Sequence, residues 1–315
     1  MSNLKAYVLG RSSRSMIALW AIMIAIFIVT GLIDHYFFTI PAIGVTLQLA
    51  APLGLLAAGQ TACMLTGGID LSIAMIATGA AYIKSQDGIV NGILWAILFC
   101  IVIGSINGLA VGLLKMNPLI MTLGMNAILI GVFTVGVSTF LKGSSTMPDY
   151  IIKLSTGTII DPISWPVIVW IIIGGAVVFL LTKTGLGRLI YAIGDNSQSA
   201  RLAGVKVWQV HWATYVLCAL LGGMGGVMLG GQSGAVAISL ANSYMLPSVA
   251  AVVIGGTSIM GGMGGYSGSI IGAIILSILS YLLSALNSSE AAKQIVYGSI
   301  VLILAWIYVR LSRKD

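Results

Sequence analysis

The chain has 315 residues, of which 58% are hydrophobic and only 7% charged, with a mean hydropathy of +1.07. A soluble globular domain needs far more surface charge than this to stay in water, so that class is excluded. The formal net charge of +7 does not point to nucleic acid, because the basic residues are spread singly with no aromatic-interleaved patch; in so apolar a chain they mark the cytoplasmic loops of a membrane protein.

No segment alternates apolar and polar residues as a transmembrane β-barrel strand would. The 40 glycines instead suit close helix packing in a bilayer. The fold class is therefore an all-α polytopic membrane protein, residues 1–315 forming one integral domain.

A spanning helix needs about 20 apolar residues. That length predicts ten spans, at 15–33, 43–65, 69–84, 92–114, 118–141, 165–182, 209–231, 245–262, 266–286 and 292–309. The third and eighth are the weakest, being short or rich in glycine. The first is read as a retained helix, since the FFTIPAIG that follows it offers no small-residue cleavage site.

The charges orient the chain. With the N-terminus inside, the cytoplasmic segments hold Lys5, Arg11, Arg14, Lys115, Lys183, Arg188, Arg201, Lys206, Arg310, Arg313 and Lys314, against Lys84, Lys142, Lys153 and Lys293 outside. The outer segments collect Asp34, Asp87, Asp149, Asp161 and Glu290. This bias predicts an even number of spans with both termini in the cytoplasm.

Several spans carry breakers: Pro52 with Gly54, Gly67-Gly68, Asn117-Pro118, and the run GGTSIMGGMGGYSG at 255–268. Broken helices at membrane depth belong against protein or a water-filled path, which argues for a conduit. Pro52 precedes Gly67-Gly68 much as Pro247 precedes Gly261-Gly262; both spans run in the same direction, so this is read as recurring composition and not as an inverted repeat.

Motifs for chemistry are missing. There is no GxxxxGK[ST], so this chain encodes no nucleotide hydrolysis. There is no HExxH, and His35 and His211 fall at opposite ends of the membrane, which leaves no metal site. Cys63, Cys100 and Cys218 lie in apolar runs far from one another, with neither a disulfide framework nor a metal spacing, and read as buried inert thiols. The GxSG at 265–268 matches an intramembrane serine protease motif, but no histidine follows Ser267 to act as base; a small residue at a tight helix contact is the preferred reading.

Asp70 is the one acid beside an apolar run. Gly67-Gly68 ends one helix, and Asp70 is placed in the first turn of the next, where a carboxylate offsets the helix dipole; a role at the border of the conduit is compatible. The polar residues inside spans are Gln48, Gln60, Thr61, Asn107, Thr122, Asn126, Gln232 and Asn242. Neutral amides and hydroxyls suit an uncharged, polyhydroxylated solute, and they equally serve to tie helices together. Gln60, Asp70, Asn107, Thr122, Asn126, Gln232 and Asn242 are the candidate pathway residues.

The longest polar insert, KTGLGRLIYAIGDNSQSARLAGVKV at 183–207, reads as a cytoplasmic segment with a short helix at 197–203 closed by Gly204. Gly185, Gly187 and Gly194 are read as turns. Ala200 and Ala203, with Leu202 and Val205, are read as an apolar face that inserts into a cleft on a soluble partner.

Within this insert, GRLIYAIGDNSQSARLAGV resembles the cytoplasmic coupling segment of ribose-type ABC importer permeases. LTGGIDLSIA (65–74), PLIMTLGMNAILIG (118–131) and LPSVAAVVIGGTSIMGGMGGYSGSIIGA (246–273) fit the same family, in order, over more than two-thirds of the chain. The resemblance implies a permease subunit of the bacterial inner membrane with about ten helices, similar in fold to the vitamin B12-type importers. The implied partners are an ABC ATPase that binds ATP and Mg, a second permease (identical or different), and a periplasmic or lipid-anchored sugar-binding protein; the chain itself binds no cofactor and is no enzyme.

By the same resemblance Gly187, Arg188, Tyr191, Gly194, Asn196, Ala200, Arg201, Ala203 and Gly204 are the ATPase-coupling residues. The implied solute is a monosaccharide or small polyol, with a nucleoside or a furanose signal molecule as alternatives; a channel or secondary transporter without ATP is the competing class. Asp195, Gln198 and Ser199 depart from the family pattern, as does NSYML at 242–246, which is where partner and solute choice would differ.

Overall fold

A computed structural model describes residues 2–86, 89–139, 145–160 and 162–312. Among these the chain forms twelve α-helices: α1 (Ser2–Ile33), α2 (Ile40–Leu65), α3 (Ile73–Gln86), α4 (Ile89–Gly112), α5 (Pro118–Thr139), α6 (Asp149–Thr156), α7 (Trp165–Lys183), α8 (Gly185–Leu202), α9 (Val207–Ser233), α10 (Met245–Ile254), α11 (Tyr266–Ala285) and α12 (Glu290–Ser312). Two small antiparallel ribbons complete it. β1 (Ser145–Thr146) pairs with β4 (Ala235–Val236), and β2 (Thr158–Ile160) with β3 (Ile163–Ser164).

Among the described residues seven helices are long and apolar enough to cross a membrane: α2, α7, α9 and α11, with Met16–Ile33 of α1, Gly92–Gly112 of α4 and Pro118–Gly136 of α5. The two weakest predicted spans are shorter than expected. The third begins at Ile73, not 69, and runs 14 residues. The eighth stops at Ile254, not 262, after 10 residues. At 1.5 Å per residue these rise about 21 and 15 Å. The eighth ends because Gly256, Gly261, Gly262 and Gly264 all have positive φ, a backbone that no helix continues through.

α9 is the axis of the bundle. It packs on α2, α3 and α4, and α2 and α9 are buried around most of their surface, whereas α1 and α5 bury only a narrow stripe. Gly104, Gly108 and Gly112 recur every fourth residue on one face of α4. A Cβ at each would stand 2.8, 2.7 and 2.8 Å from the Cα atoms of Val216, Trp212 and Trp208 on α9. Only glycine permits that backbone-to-backbone approach, the small-residue packing that replaces the hydrophobic effect inside a bilayer.

Pro52 lies inside α2 and cannot donate to the carbonyl four residues back, Gln48 O. Gln232 of α9 fills the gap: its Nε2 donates to Gln48 O at 2.9 Å. The Gln48 side chain in turn donates to Ser155 O of α6 at 3.2 Å. A second relay runs from Trp170 Nε1 to the Tyr266 hydroxyl (2.7 Å), which donates to Gly54 O (2.8 Å).

Three sequence-based expectations change here. Cys63 and Cys218 are neighbours between α2 and α9, with Cys100 apart; all three are free, buried thiols. Lys84, counted as a loop charge, is fully buried with its Nζ 5.2 Å from the centre of the Tyr150 ring. At the GxSG, Ser267 is exposed and it is Gly268 that packs on Gly255. Asp87, Lys142, Asp161, Arg313 and Lys314 lie outside the described residues.

Gln232→Leu should destabilise the purified protein by about 1–3 kcal/mol, the cost of an unpaired buried carbonyl. In a Pro52→Ala background, where residue 52 regains its N–H, the same change should cost clearly less. Thermal unfolding of the four proteins in this cycle measures the coupling, and strict additivity would refute the assignment.

Candidate functional site: the α8 docking point

α8 begins where Thr184 caps it, its Oγ1 accepting Gly187 N–H at 3.2 Å. It extends eighteen residues, much longer than the predicted 197–203, and Asn196 kinks it with φ −154° and ψ 99°. The Asn196 side chain restarts the helix by accepting Ser199 N–H at 2.8 Å. Gly204, at φ +85°, ends it as expected, with Val205 N–H returning to Ala200 O at 3.0 Å.

Gly185, Gly187 and Gly194 are therefore helical and make no turns. Gly187 is buried against the carbonyls of Leu180 and Leu181. Gly194 lies on the Leu65 carbonyl and on Gly262, so close that no Cβ fits.

Those two partners are the helix breaks. After α2, the chain turns at Gly67 (φ +79°) with Gly68 N–H bonded to Cys63 O at 3.0 Å. After α10, the 255–265 loop folds on itself: Ser258 N–H reaches Met263 O at 2.9 Å, and Thr257 Oγ1 accepts Gly265 N–H at 3.2 Å. The two breaks join where Gly262 N–H donates to Leu65 O at 3.0 Å. Tyr191 of α8 pins the second break by donating its hydroxyl to Gly264 O at 2.9 Å. Burial raises the Tyr191 pKa, so it remains a neutral donor. The recurrence of Pro and Gly-Gly noted in the sequence is thus two breaks that meet in space under α8.

The underside of α8, with Ile190, Ile193 and Ala200, packs on Leu181, Val207 and Val210. Ala200 is 7% exposed, which corrects its placement on an outward face. The outward groups are Arg188, Asp195, Asn196, Arg201 and Ala203, and Leu202 stands 84% exposed. Of the expected apolar face, Leu202 and Ala203 do stand outward, whereas the backbone partners Leu65, Gly262 and Gly264 carry no side-chain chemistry that would single them out. The sequence signal for the glycines was the recurring Gly-Gly pair.

Four candidate pathway residues come together behind the first break. Gln60 clamps the Asp70 backbone, donating to Asp70 O at 2.7 Å and accepting Asp70 N–H at 3.1 Å. Thr122 of α5 donates to Ile69 O and accepts Leu71 N–H, both at 3.1 Å. Asn107 of α4 donates to Ser72 Oγ at 2.9 Å. Asp70 Oδ1 accepts from both Ser72 N (2.9 Å) and Ser72 Oγ (2.5 Å), so it caps a turn three residues ahead of α3 and is not in that helix's first turn. Asn126 is half-buried one turn beyond Thr122 on α5. Gln232 and Asn242 lie elsewhere, the first bracing α2 and the second exposed before α10. Among the described residues no three of His, Cys, Asp and Glu are grouped to hold a metal.

Residues 42–305 match the family described as branched-chain amino acid transport system, permease component. The chain is 33% identical over 296 residues to the ribose import permease protein RbsC of Escherichia coli strain K12, covering 91% of each chain. It is 30% identical over 302 residues to the autoinducer 2 import system permease protein LsrC of Yersinia pseudotuberculosis strain YPIII, covering 93% of this chain and 84% of that one. No solved structure gives a significant match. The chain belongs to this permease family of binding-protein-dependent ABC importers, as a non-catalytic, multi-pass component of the bacterial inner membrane.

Proposed function

We propose that this permease moves a monosaccharide or related small polyol, handed over by a binding protein, and that α8 is where an ABC ATPase drives it. The carrying observation is the backbone contact of Gly194 with Leu65 and Gly262. It seats α8 directly on both helix breaks, so a displacement of α8 reaches α2–α3 and α10–α11 without passing through flexible side chains.

The proposed topology counts α12 and the short α3 and α10 with the seven long apolar helices, for ten membrane segments with both termini in the cytoplasm. The charge bias supports that orientation, in which α8 belongs to the cytoplasmic face. Arg188 and Arg201 flank the docking surface and Leu202, with Ala203, is its apolar knob. ATP and Mg bind to the ATPase, and a second permease, identical or different, completes the pathway.

The solute reading rests on similarity to permeases named for ribose and autoinducer 2 and on the neutral amides and hydroxyls within the bundle. Gln60, Asn107 and Thr122 are bonded to the 69–72 segment that carries Asp70, so their part is to shape the pathway wall. Asn126 and Asn242 are the freer groups for solute contact.

Leu202→Glu should lower ATP-driven uptake at least about tenfold, the loss of about 1.4 kcal/mol of docking free energy, with membrane abundance unchanged; normal uptake would sink the docking role. Ala200→Glu should act differently. It buries a charge in the α8 underside and should deplete the protein from the membrane, as immunoblotting would show. Uptake of labelled ribose in cells lacking the ATPase should cease, and persistence would favour a channel or secondary transporter.

A further inference from the structure

Directly behind the 66–72 break, three buried oxygens have no hydrogen-bond partner among the described residues: Asp70 Oδ2, Asn107 Oδ1 and the Tyr215 hydroxyl. Each of these residues is 0% exposed. They converge from three elements. Asp70 and Asn107 share Ser72, bonded to Asp70 Oδ1 at 2.5 Å and to Asn107 Nδ2 at 2.9 Å. The Tyr215 hydroxyl of α9 packs on Gly68, where a Cβ would stand 2.5 Å from it. One turn further along α9, the Cys218 thiol lies beside Asp70.

A buried carboxylate with a bare oxygen is costly unless its charge is met. Among the described residues no Lys or Arg pairs with it. The titratable groups that face it are Cys63 of α2 and Tyr215 and Cys218 of α9; α4 and α5 bring Asn107 and Thr122, which do not titrate, and His211 faces Gly112 of α4. A carboxylate oxygen and an amide oxygen can only accept hydrogen bonds. Two such atoms left bare at one buried place call for something positive between them.

We propose that Asp70, Asn107 and Tyr215 form a buried site for a single positive charge, a proton or a sodium ion, that ties the α2–α3 break to α4 and α9. As a proton it resides on Asp70 Oδ2 and is donated to Asn107 Oδ1. As sodium it takes all three oxygens, the donor set a hard cation prefers. The site does not depend on the solute or on the ATPase contact.

Thermal unfolding of the full-length permease in detergent tests it, from mildly acidic to mildly alkaline pH, in sodium chloride or choline chloride at equal ionic strength. If the charge is a proton, Tm is highest at low pH and falls as the pH rises past the point where folded Asp70 releases it. Asp70→Asn then abolishes that fall, and sodium has no effect. If it is sodium, Tm rises by at least about 2 °C with sodium, more so at alkaline pH, and Asp70→Asn abolishes the rise. A wild-type Tm indifferent to both, or a response unchanged in Asp70→Asn, overturns the site. Should Asp70→Asn fail to accumulate, Asn107→Ala must diminish the response in either case; an undiminished response overturns it equally.

Discussion

The structure turns on one carbonyl. Leu65 O ends α2, accepts Gly262 N–H at 3.0 Å and has the backbone of Gly194 laid against it. Three segments far apart in sequence, the end of a spanning helix, a glycine loop and a surface helix, thus share one point without an intervening side chain. Backbone packed on backbone has no rotamers through which to absorb a displacement. It also leaves no room for a Cβ at 194, while positions 262 (φ +73°) and 67 (φ +79°) have the left-handed backbone that glycine adopts freely.

The same device builds the bundle. Lipid tails are as apolar as leucine, so helices in a bilayer gain little by hiding apolar surface from one another and gain mainly by close contact. The Gly104, Gly108 and Gly112 row against α9 provides that contact. Where a helix sacrifices a backbone hydrogen bond, as α2 does at Pro52, a neighbouring side chain restores it, because no water is at hand to do so. Gln232 reads as a pathway residue when it is seen only as a polar group in an apolar run; its actual partner is set by the proline 180 positions earlier.

That difference marks what the sequence makes legible. Composition and apolar run length suffice for an all-helical membrane fold, and the position of the surface helix follows from its polarity and from Gly204. Direction is harder. Ala200 looks outward if the helix is taken as 197–203 alone, but α8 starts at Gly185 and kinks at Asn196, and the kink resets which residues face the bundle. Leu202 becomes the exposed apolar group in consequence. Partnerships across long sequence distances, Cys63 with Cys218 or Gly67 with Gly261, carry no local signal beyond the recurrence of small residues.

The two breaks beneath α8 differ in stiffness. The first is backed by Gln60, Thr122, Asn107 and Ser72, whose bonds fix residues 69–72 to α2, α4 and α5. The second relies mainly on bonds within its own loop, and it exposes Met260 at 71% and Met263 at 50%. A segment bonded mainly to itself opens at lower cost than one tied by side chains to several helices. In the proposed coupling, a displacement of α8 meets a wall at 66–72 and a more self-contained loop at 255–265, held to α8 by Tyr191 and Gly194. The short α10, only ten residues long and continuous with that loop, is the element positioned to move, while α2, α4 and α9 remain the frame against which it does so.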